Sequence, residues 1–360
     1  MNDRPTAADL PDEASAARDL LEQRPDLMVA HRDLVSQTIL AQTLFALWDS
    51  GFYEHLRRTG TVSPSDAEVL GYDPFVFDVV LKYLVGRGVL TAQGEALVLT
   101  PRGSDLHNVF TRGLIRLYVG GYGPLLGNLG PLLRRELSLD DPRVKRLARP
   151  VASGTEDINC VHTVPAVIRM LREQKSRCVL DLGCGTGGFL IQLATLDQSL
   201  SGLGVDREPE AIETACKNAR RREVESRLTF RCSSVGTQPI DAPADLTDRV
   251  DTISCMFLLH EFGRDGEEAI VDTVAAIARQ FPGRRMIVLE SDPANPFQAG
   301  KNPPKHHGHL DYWYVHPLSL QGPPMSPDQW ASVFSRAHAR LLGHRTTFPS
   351  SIARIYDVQL

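Results

Sequence analysis

The chain has 360 residues, of which 42% are hydrophobic and 23% charged, and a net charge of −5. These values are typical of a folded protein large enough for two domains. The negative charge argues against nucleic acid or an anionic membrane as the main partner, and no apolar run approaches the ~20 residues of a membrane helix. The start lacks the pattern of a signal peptide and the six cysteines form no CxxC pair, so we predict a cytoplasmic protein.

The N-terminal part shows two regions. Residues 1–28 are polar and alanine-rich and are predicted to be a flexible tail or a loose first helix. Residues 29–104 carry three helical patterns and then a short hairpin, which is the order of a winged-helix module. Such a module binds DNA or pairs two subunits. The predicted recognition helix, Phe75 to Leu84, has Lys82 as its only basic residue. We therefore predict a dimerisation domain and a homodimer rather than DNA binding.

Residues 105–165 look helical and are predicted to form a linker that contributes to the active site. The glycines within Tyr118 to Gly123 could bring the backbone close to a ligand or simply break a helix. Residues 166–360 alternate strands with helices, which predicts an α/β fold with a Rossmann-like, seven-stranded sheet. The predicted strands are 178–182, 201–206, 228–232, 250–256 and 286–290, with an antiparallel pair at 339–343 and 352–358.

A glycine-rich turn follows the first of these strands. After Asp181 come Gly183, Gly185 and Gly187, which let the backbone approach a ligand at the carboxyl end of the strand. The same spacing fits a dinucleotide-binding oxidoreductase. Asp206 ends the second strand about 20 residues later and could accept from ribose hydroxyls in either class. Asp181 favours S-adenosylmethionine, because dehydrogenases usually have an apolar residue there and an acid can meet the charged amino-acid end of the cofactor.

With this turn the sequence resembles the class I S-adenosylmethionine-dependent methyltransferases. Val179 to Gly187 matches their cofactor loop and Gly204 to Asp206 their ribose-binding strand end, while the N-terminal half resembles the dimerisation domain of small-molecule O-methyltransferases. Many members carry an acid near the adenine after the third strand. This chain has Ser233 and Ser234 there, either of which could hydrogen-bond the base.

The fourth strand leads into a candidate reacting centre. Phe257 is predicted to contact the cofactor, and His260 and Glu261 follow it as predicted catalytic residues. A histidine at the carboxyl end of a strand faces the crevice, where it can act as a general base near neutral pH. The alternative interpretation is a buried core histidine beside a helix cap.

Further histidines follow the fifth strand, and loops after adjacent parallel strands converge on one crevice. They are His306, His307, His309 and His316. Two imidazoles and one carboxylate form the facial set for a divalent metal with open positions. We therefore predict a metal site of His260, Glu261 and His316, with His309 as the next candidate and a solvated loop as the alternative.

This combination resembles the α-keto-acid (phenylpyruvate-type) C-methyltransferases of peptide-antibiotic biosynthesis. The shared segments are His260 to Phe262, His316 to Gln321 and Gly120 to Gly123. The resemblance implies iron or zinc at the three ligands and methylation of the carbon next to the keto group of a 2-oxo acid. Such an ion would stabilise the enolate formed when that carbon loses a proton.

A 2-oxo acid also needs a cation for its carboxylate, and Arg143, Arg146 and Arg149 are the candidates. Two other functions stay open. A metal-free O-methyltransferase would use His260 as its base, because an acidic phenol needs no Lewis acid. A winged-helix regulator would only sense S-adenosylmethionine, and the histidine–acid pair argues against it.

Overall fold

The computed structural model describes residues 13–241, 244–292, 308–322, 324–347 and 352–360. The chain divides into two compact units, Met1–Asn108 and Val109–Leu360. Within the described ranges, no helix is long and apolar enough to cross a membrane.

The N-terminal unit is helical and carries one antiparallel hairpin. Its elements are α1 (Glu13–Gln23), α2 (Pro25–Asp49), α3 (Phe52–Thr59), α4 (Asp66–Leu70), α5 (Pro74–Gly86), β1 (Leu90–Gln93), β2 (Ala96–Leu99) and α6 (Pro101–Leu106). Residues 13–28, part of the segment predicted as a flexible tail or a loose first helix, are mostly helical, because alanine and leucine favour a helix even where its surface is exposed. Trp48, Phe52 and Tyr53 pack at ring-centroid distances of 5.2 and 5.1 Å and anchor the core of this unit.

The C-terminal unit begins with a run of helices. They are α7 (Val109–Leu114), a π-helix (Ile115–Gly121), α8 (Gly123–Gly127), α9 (Leu129–Leu133), a 3₁₀ turn (Pro142–Val144) and α10 (Ala148–Glu173). Helix α10 runs across the predicted boundary at residue 165, although Pro165 lies inside it. The segment predicted as a linker therefore belongs to the same compact unit as the sheet.

A seven-stranded sheet follows. Its elements are β3 (Cys178–Leu182), α11 (Gly188–Leu196), β4 (Ser201–Asp206), α12 (Pro209–Arg221), β5 (Leu228–Cys232), α13 (Ala244–Arg249), β6 (Thr252–Met256), a 3₁₀ turn (Leu259–Asp265), α14 (Glu267–Gln280), β7 (Arg285–Ser291), α15 (Gly308–Leu318), α16 (Pro327–Arg336), β8 (Arg340–Thr346) and β9 (Ala353–Gln359).

The strand order is β5-β4-β3-β6-β7-β9-β8, with β9 antiparallel to both of its neighbours and the other pairs parallel. This confirms the predicted α/β fold with a mostly parallel sheet and a helical N-terminal region. All five residues of β3 are buried, because helices cover both faces of the sheet. The carboxyl ends of β3, β4, β6 and β7 therefore meet at one edge, where ligands bind in such sheets.

Close contact between helices explains Gly113 and Gly121. A Cβ on Gly121 would lie 2.6 Å from Cγ2 of Val151, and one on Gly113 would lie 2.8 Å from the carbonyl oxygen of Gly154. The π-helix and α7 thus pack directly against α10. Gly121 serves this packing, and the π-helix also ends at Gly121, which is the helix break predicted as one of the two roles of the glycine stretch.

Candidate active site

A cavity of about 1090 Å³ lies at the carboxyl edge of the sheet. The glycine-rich turn after β3 lines one side, and the ends of β6 and β7 line another. Residues of α7, the π-helix and α10 complete the wall. The cavity therefore joins the predicted cofactor loop to the predicted reacting centre within one compact unit.

The glycines of the loop are required by its backbone. Gly183, Gly185 and Gly187 have φ of +68°, +52° and +78°, which is the left-handed region that favours glycine. A Cβ on Gly187 would also lie 2.9 Å from the ring of Phe230. The Asp206 carboxylate accepts the N–H of Gly185 at 2.8 Å, so the end of β4 holds the loop in place.

Asp181 lies beneath this loop and is 2% exposed. It accepts a hydrogen bond from Oγ of Ser254 at 2.7 Å. Burial, opposed by that hydrogen bond and reinforced by the charge of Asp206, raises the pKa of Asp181 to about 7. Asp181 also lines the cavity. A cationic ligand bound at the loop would therefore favour the ionised form of Asp181.

The other predicted cofactor residues divide into two groups. Phe257 lines the cavity and has a φ of +54°, a strained conformation at the end of β6. Ser233 is buried and its Oγ accepts the N–H of Asp241 at 3.0 Å. Among the described residues that line the cavity, Val235 is present but neither Ser233 nor Ser234 is. The hydrogen bond from either serine to the adenine stays a prediction.

His260 lies in the 3₁₀ turn after β6 and is paired with Glu290 at the end of β7. Its Nδ1 is 2.7 Å from Oε2 of Glu290, and its backbone N–H donates to Oε1 at 3.3 Å. The carboxylate therefore fixes the tautomer with the proton on Nδ1 and leaves the lone pair on Nε2. Burial lowers the pKa of His260, but the charge and hydrogen bond of Glu290 outweigh it, so that the pKa is raised.

Glu261 is held by a cation and an amide. Arg146 donates to its Oε1 at 2.5 Å, and Nε2 of Gln321 donates to the same oxygen at 2.8 Å. Burial alone would raise the pKa of Glu261, but the charges of Arg146 and His260 outweigh it and hold the pKa below its ordinary value. Of the three arginines considered for a substrate carboxylate, Arg146 lines the cavity, whereas Arg143 and Arg149 do not.

His316 lies on α15 beside His260, with their ring centroids 4.8 Å apart. It is 3% exposed, and among the described residues neither of its ring nitrogens has a hydrogen-bond partner. Burial, with the charges of His260 and Arg146, lowers the pKa of His316 to about 2, so the imidazole is neutral. The structure brings His260, Glu261 and His316 together. His306, His307 and the side chain of His309 lie outside what the structure describes.

Three residues of this cluster were not predicted as site residues. Glu290 orients His260, Gln321 bridges towards both His260 and Glu261, and the Tyr122 hydroxyl donates to Oε1 of Gln321 at 3.1 Å. The sequence carries a signal for Glu290, because an acid that ends an otherwise apolar strand must find a partner.

Comparison with known proteins decides between the two interpretations of the glycine-rich turn. Residues 173–280 match the model of a methyltransferase domain. The 2-ketoarginine methyltransferase of Streptomyces arginensis is 26% identical over 314 residues, which cover 86% of this chain and 88% of that protein. These matches support an S-adenosylmethionine-dependent methyltransferase. The methyltransferase ungE' of Aspergillus campestris is 28% identical over 262 residues, 71% of this chain and 74% of its own.

Solved structures of methyltransferases share the fold. Human N-acetylserotonin methyltransferase in complex with S-adenosylmethionine superposes with a TM-score of 0.65 at 16% identity, over 92% of this methyltransferase and 97% of that chain. The mitomycin 7-O-methyltransferase gives a TM-score of 0.63 at 14% identity, over 96% and 99% of the two chains. We propose that the glycine-rich loop, Asp181 and Asp206 hold S-adenosylmethionine.

Proposed function

We propose that this methyltransferase acts in secondary metabolism and methylates the carbon next to the keto group of a 2-oxo acid. The observation that carries the proposal is the cluster of His260, Glu261, His316 and Arg146 in the same cavity as the glycine-rich loop. A relative that covers most of the chain is named for a keto acid, 2-ketoarginine. The cluster supplies a cation for the carboxylate and donors for a metal that would bind the keto oxygen.

A divalent ion, iron or zinc, is part of the proposal. Within the described ranges, no group of three His, Cys, Asp or Glu side chains has the arrangement of a metal site. The donors nevertheless fit one in type and proximity: Nε2 of His260 is 3.7 Å from Oε1 of Glu261, and the neutral ring of His316 has two buried nitrogens without partners in the described chain. The hydrogen bond from His260 to Glu290 is the support that a ligating histidine usually has. His260, Glu261 and His316 would hold the ion.

The C–H proton of the acceptor passes to solvent water in the cavity and leaves an enolate. The enolate carbon then displaces S-adenosylhomocysteine from the methyl group, so the S–CH₃ bond breaks as the C–CH₃ bond forms. When bound, the ion would polarise the keto oxygen and make the neighbouring C–H more acidic. Arg146 places a positive charge beside Glu261, where the acceptor's carboxylate can share it. Glu290 keeps the proton of His260 on Nδ1, so that the lone pair of Nε2 is available to coordinate a metal ion.

The remaining wall of the cavity is largely apolar. It includes Phe110, Leu114, Leu117, Tyr118 and Ile158, from α7, the π-helix and α10. Tyr118 connects this wall to the cluster, since its ring centroid is 6.2 Å from that of Tyr122. The arrangement favours an acceptor whose oxo-acid end lies at the cluster and whose side chain lies along this wall.

The alternative is a metal-free O-methyltransferase. In that reaction Nε2 of His260 takes the proton of a hydroxyl group while Glu290 stabilises the imidazolium. The raised pKa of His260 favours this role as a base. His260 has only one free lone pair, so it cannot be a metal ligand and the base at the same time.

Metal analysis separates the two reactions. We expect the purified protein to contain iron or zinc, to lose turnover when a chelator removes the ion, and to recover turnover when Fe²⁺ or Zn²⁺ is returned. Elemental analysis and methyl-transfer rates measured on the same samples check this. Full turnover in a metal-free preparation would exclude the metal-dependent reaction and favour the O-methyltransferase.

Replacement of Glu290 by glutamine is expected to move the acidic limb of the pH–rate profile to lower pH. The charge of Glu290 raises the pKa of His260, and without it burial lowers that pKa. Turnover needs the neutral imidazole, as ligand or as base, and is therefore lost as the pH falls through the pKa. Glu268→Gln, at an exposed site on α14, is the matched control. An acidic limb that stays in place would show that Glu290 does not set the ionisation of His260.

We further propose a homodimer formed through the N-terminal unit, with no nucleic acid or membrane as a partner. Leu34 on α2 is 71% exposed and Phe75 on α5 is 76% exposed, which are unusual positions for large apolar side chains. We expect Leu34→Glu combined with Phe75→Glu to halve the mass measured by light scattering, and Arg57→Glu on α3 to leave it unchanged. A wild-type protein that is monomeric at micromolar concentration would contradict the proposal.

A further inference from the structure

Helix α10 places a carboxylate against the end of the cofactor loop. Glu156 lines the cavity together with Gly185, Thr186 and Gly188. A Cβ built on Gly188 would overlap the carboxyl group of Glu156 and lie 2.7 Å from its Cγ. Gly188 is the first residue of α11, so Glu156 lies directly beside the start of that helix and the absence of a side chain at Gly188 makes room for it.

The arginines near Glu156 are bonded to its neighbour. Arg112 donates to both carboxylate oxygens of Asp157, at 2.5 and 2.7 Å, and Arg116 donates to one of them at 2.9 Å. Within the described chain, Glu156 itself has no hydrogen bond and no cation within ion-pair distance. Burial and the charge of Asp157 raise the pKa of Glu156. A half-buried carboxylate without a partner raises the free energy of the folded protein, and a cation bound in the cavity would lower it again.

The other two carboxylates of the loop already accept hydrogen bonds from the protein. Both oxygens of Asp206 accept backbone N–H groups, those of Gly185 and Glu208, at 2.8 and 3.0 Å. Asp181 lies beneath the loop and is bonded to Ser254. Of these three carboxylates, Glu156 is the one that accepts no hydrogen bond within the described chain.

We propose that Glu156 binds the α-ammonium group of the methionyl end of S-adenosylmethionine. The methionyl end carries both an ammonium and a carboxylate, and an N–H group at the start of a helix suits the carboxylate while Glu156 suits the ammonium. Helix α10 then becomes part of the cofactor site rather than only a support for it. The proposal concerns the cofactor alone and does not depend on the 2-oxo acid or the metal.

A structural role for Glu156, as an anion at the positive end of α11, makes a different prediction. That role would affect the stability of the loop and hence the binding of every ligand equally. A contact with the ammonium would affect only ligands that carry this group. Two ligands that differ in the amino group alone therefore distinguish the two roles.

The test compares S-adenosylhomocysteine with its analogue in which hydrogen replaces the α-amino group, by calorimetric titration. We expect the wild-type protein to bind S-adenosylhomocysteine roughly tenfold or more tightly than the analogue, the size of a hydrogen bond between charged groups. Glu156→Gln should lose most of this preference while binding the analogue as before. Glu173→Gln, at an exposed position near the end of the same helix, should keep it.

Two results would overturn the proposal. One is a Glu156→Gln variant that keeps the wild-type preference for the amino group, and the other is equal weakening of both ligands, which marks a structural role. Thermal unfolding without ligand shows whether the variant folds. Glu156→Asp gives a second measurement, because it keeps the charge but withdraws it from the loop, and it should lose part of the preference.

Discussion

Replacement of His260 by alanine is expected to lower kcat by about 10²–10⁴-fold, the size of a lost acid–base or ligand group. His260 reaches the cavity from the turn after β6, while the glycine-rich loop follows β3. Cofactor affinity should therefore stay at the wild-type value. Methyl-transfer rates and calorimetric binding of S-adenosylhomocysteine measure the two quantities separately.

The control for this variant is His31→Ala, because His31 is exposed on α2 in the N-terminal unit. It should leave both kcat and cofactor affinity unchanged. A His260→Ala protein that folds, binds cofactor and turns over at the wild-type rate would remove His260 from the reaction, and with it both the metal-dependent and the metal-free mechanisms.

Replacement of His316 by leucine is expected to have two opposite effects. Turnover and bound metal should be lost, because His316 is proposed to be a ligand. The metal-free protein should become more stable, since a buried polar group without a hydrogen bond costs about 1–3 kcal/mol and leucine has no such group. Metal content, kcat and the Tm of the chelated proteins check the three parts.

This variant also separates the two mechanisms. In the metal-free alternative His316 has no ligand role, so His316→Leu should gain stability and keep much of its turnover. In the metal-dependent reaction it should gain stability and lose turnover together. A variant that keeps its metal content would show that His316 is not a ligand.

The sheet was predictable from sequence because its strands are short apolar runs bounded by turn residues, as in Cys178 to Leu182. The glycine-rich loop was equally readable, since its positive φ angles require glycine at fixed spacings. The extent of α10 was not predictable, because Pro165 suggests a helix break, and the packing of this helix overrides that preference.

The polar cluster was only partly predictable. His260 and Glu261 could be found because they directly follow a strand. Glu290 acts on His260 through the pairing of β6 with β7, in which Met256 lies opposite Leu289, and such a register is a property of the folded sheet. Gln321 acquires its role through a bridge between two distant segments, which no local pattern indicates.

The most direct test of the proposed function is the position of the transferred methyl group. S-adenosylmethionine labelled with ¹³C in its methyl group would be incubated with the metal-loaded protein and a panel of 2-oxo acids that have apolar or guanidino side chains, and the products examined by NMR. We predict a ¹³C-methyl group bonded to the carbon next to the keto group, with one proton fewer on that carbon. A label found on oxygen, or no labelled 2-oxo acid while a phenol is methylated, would contradict the proposal.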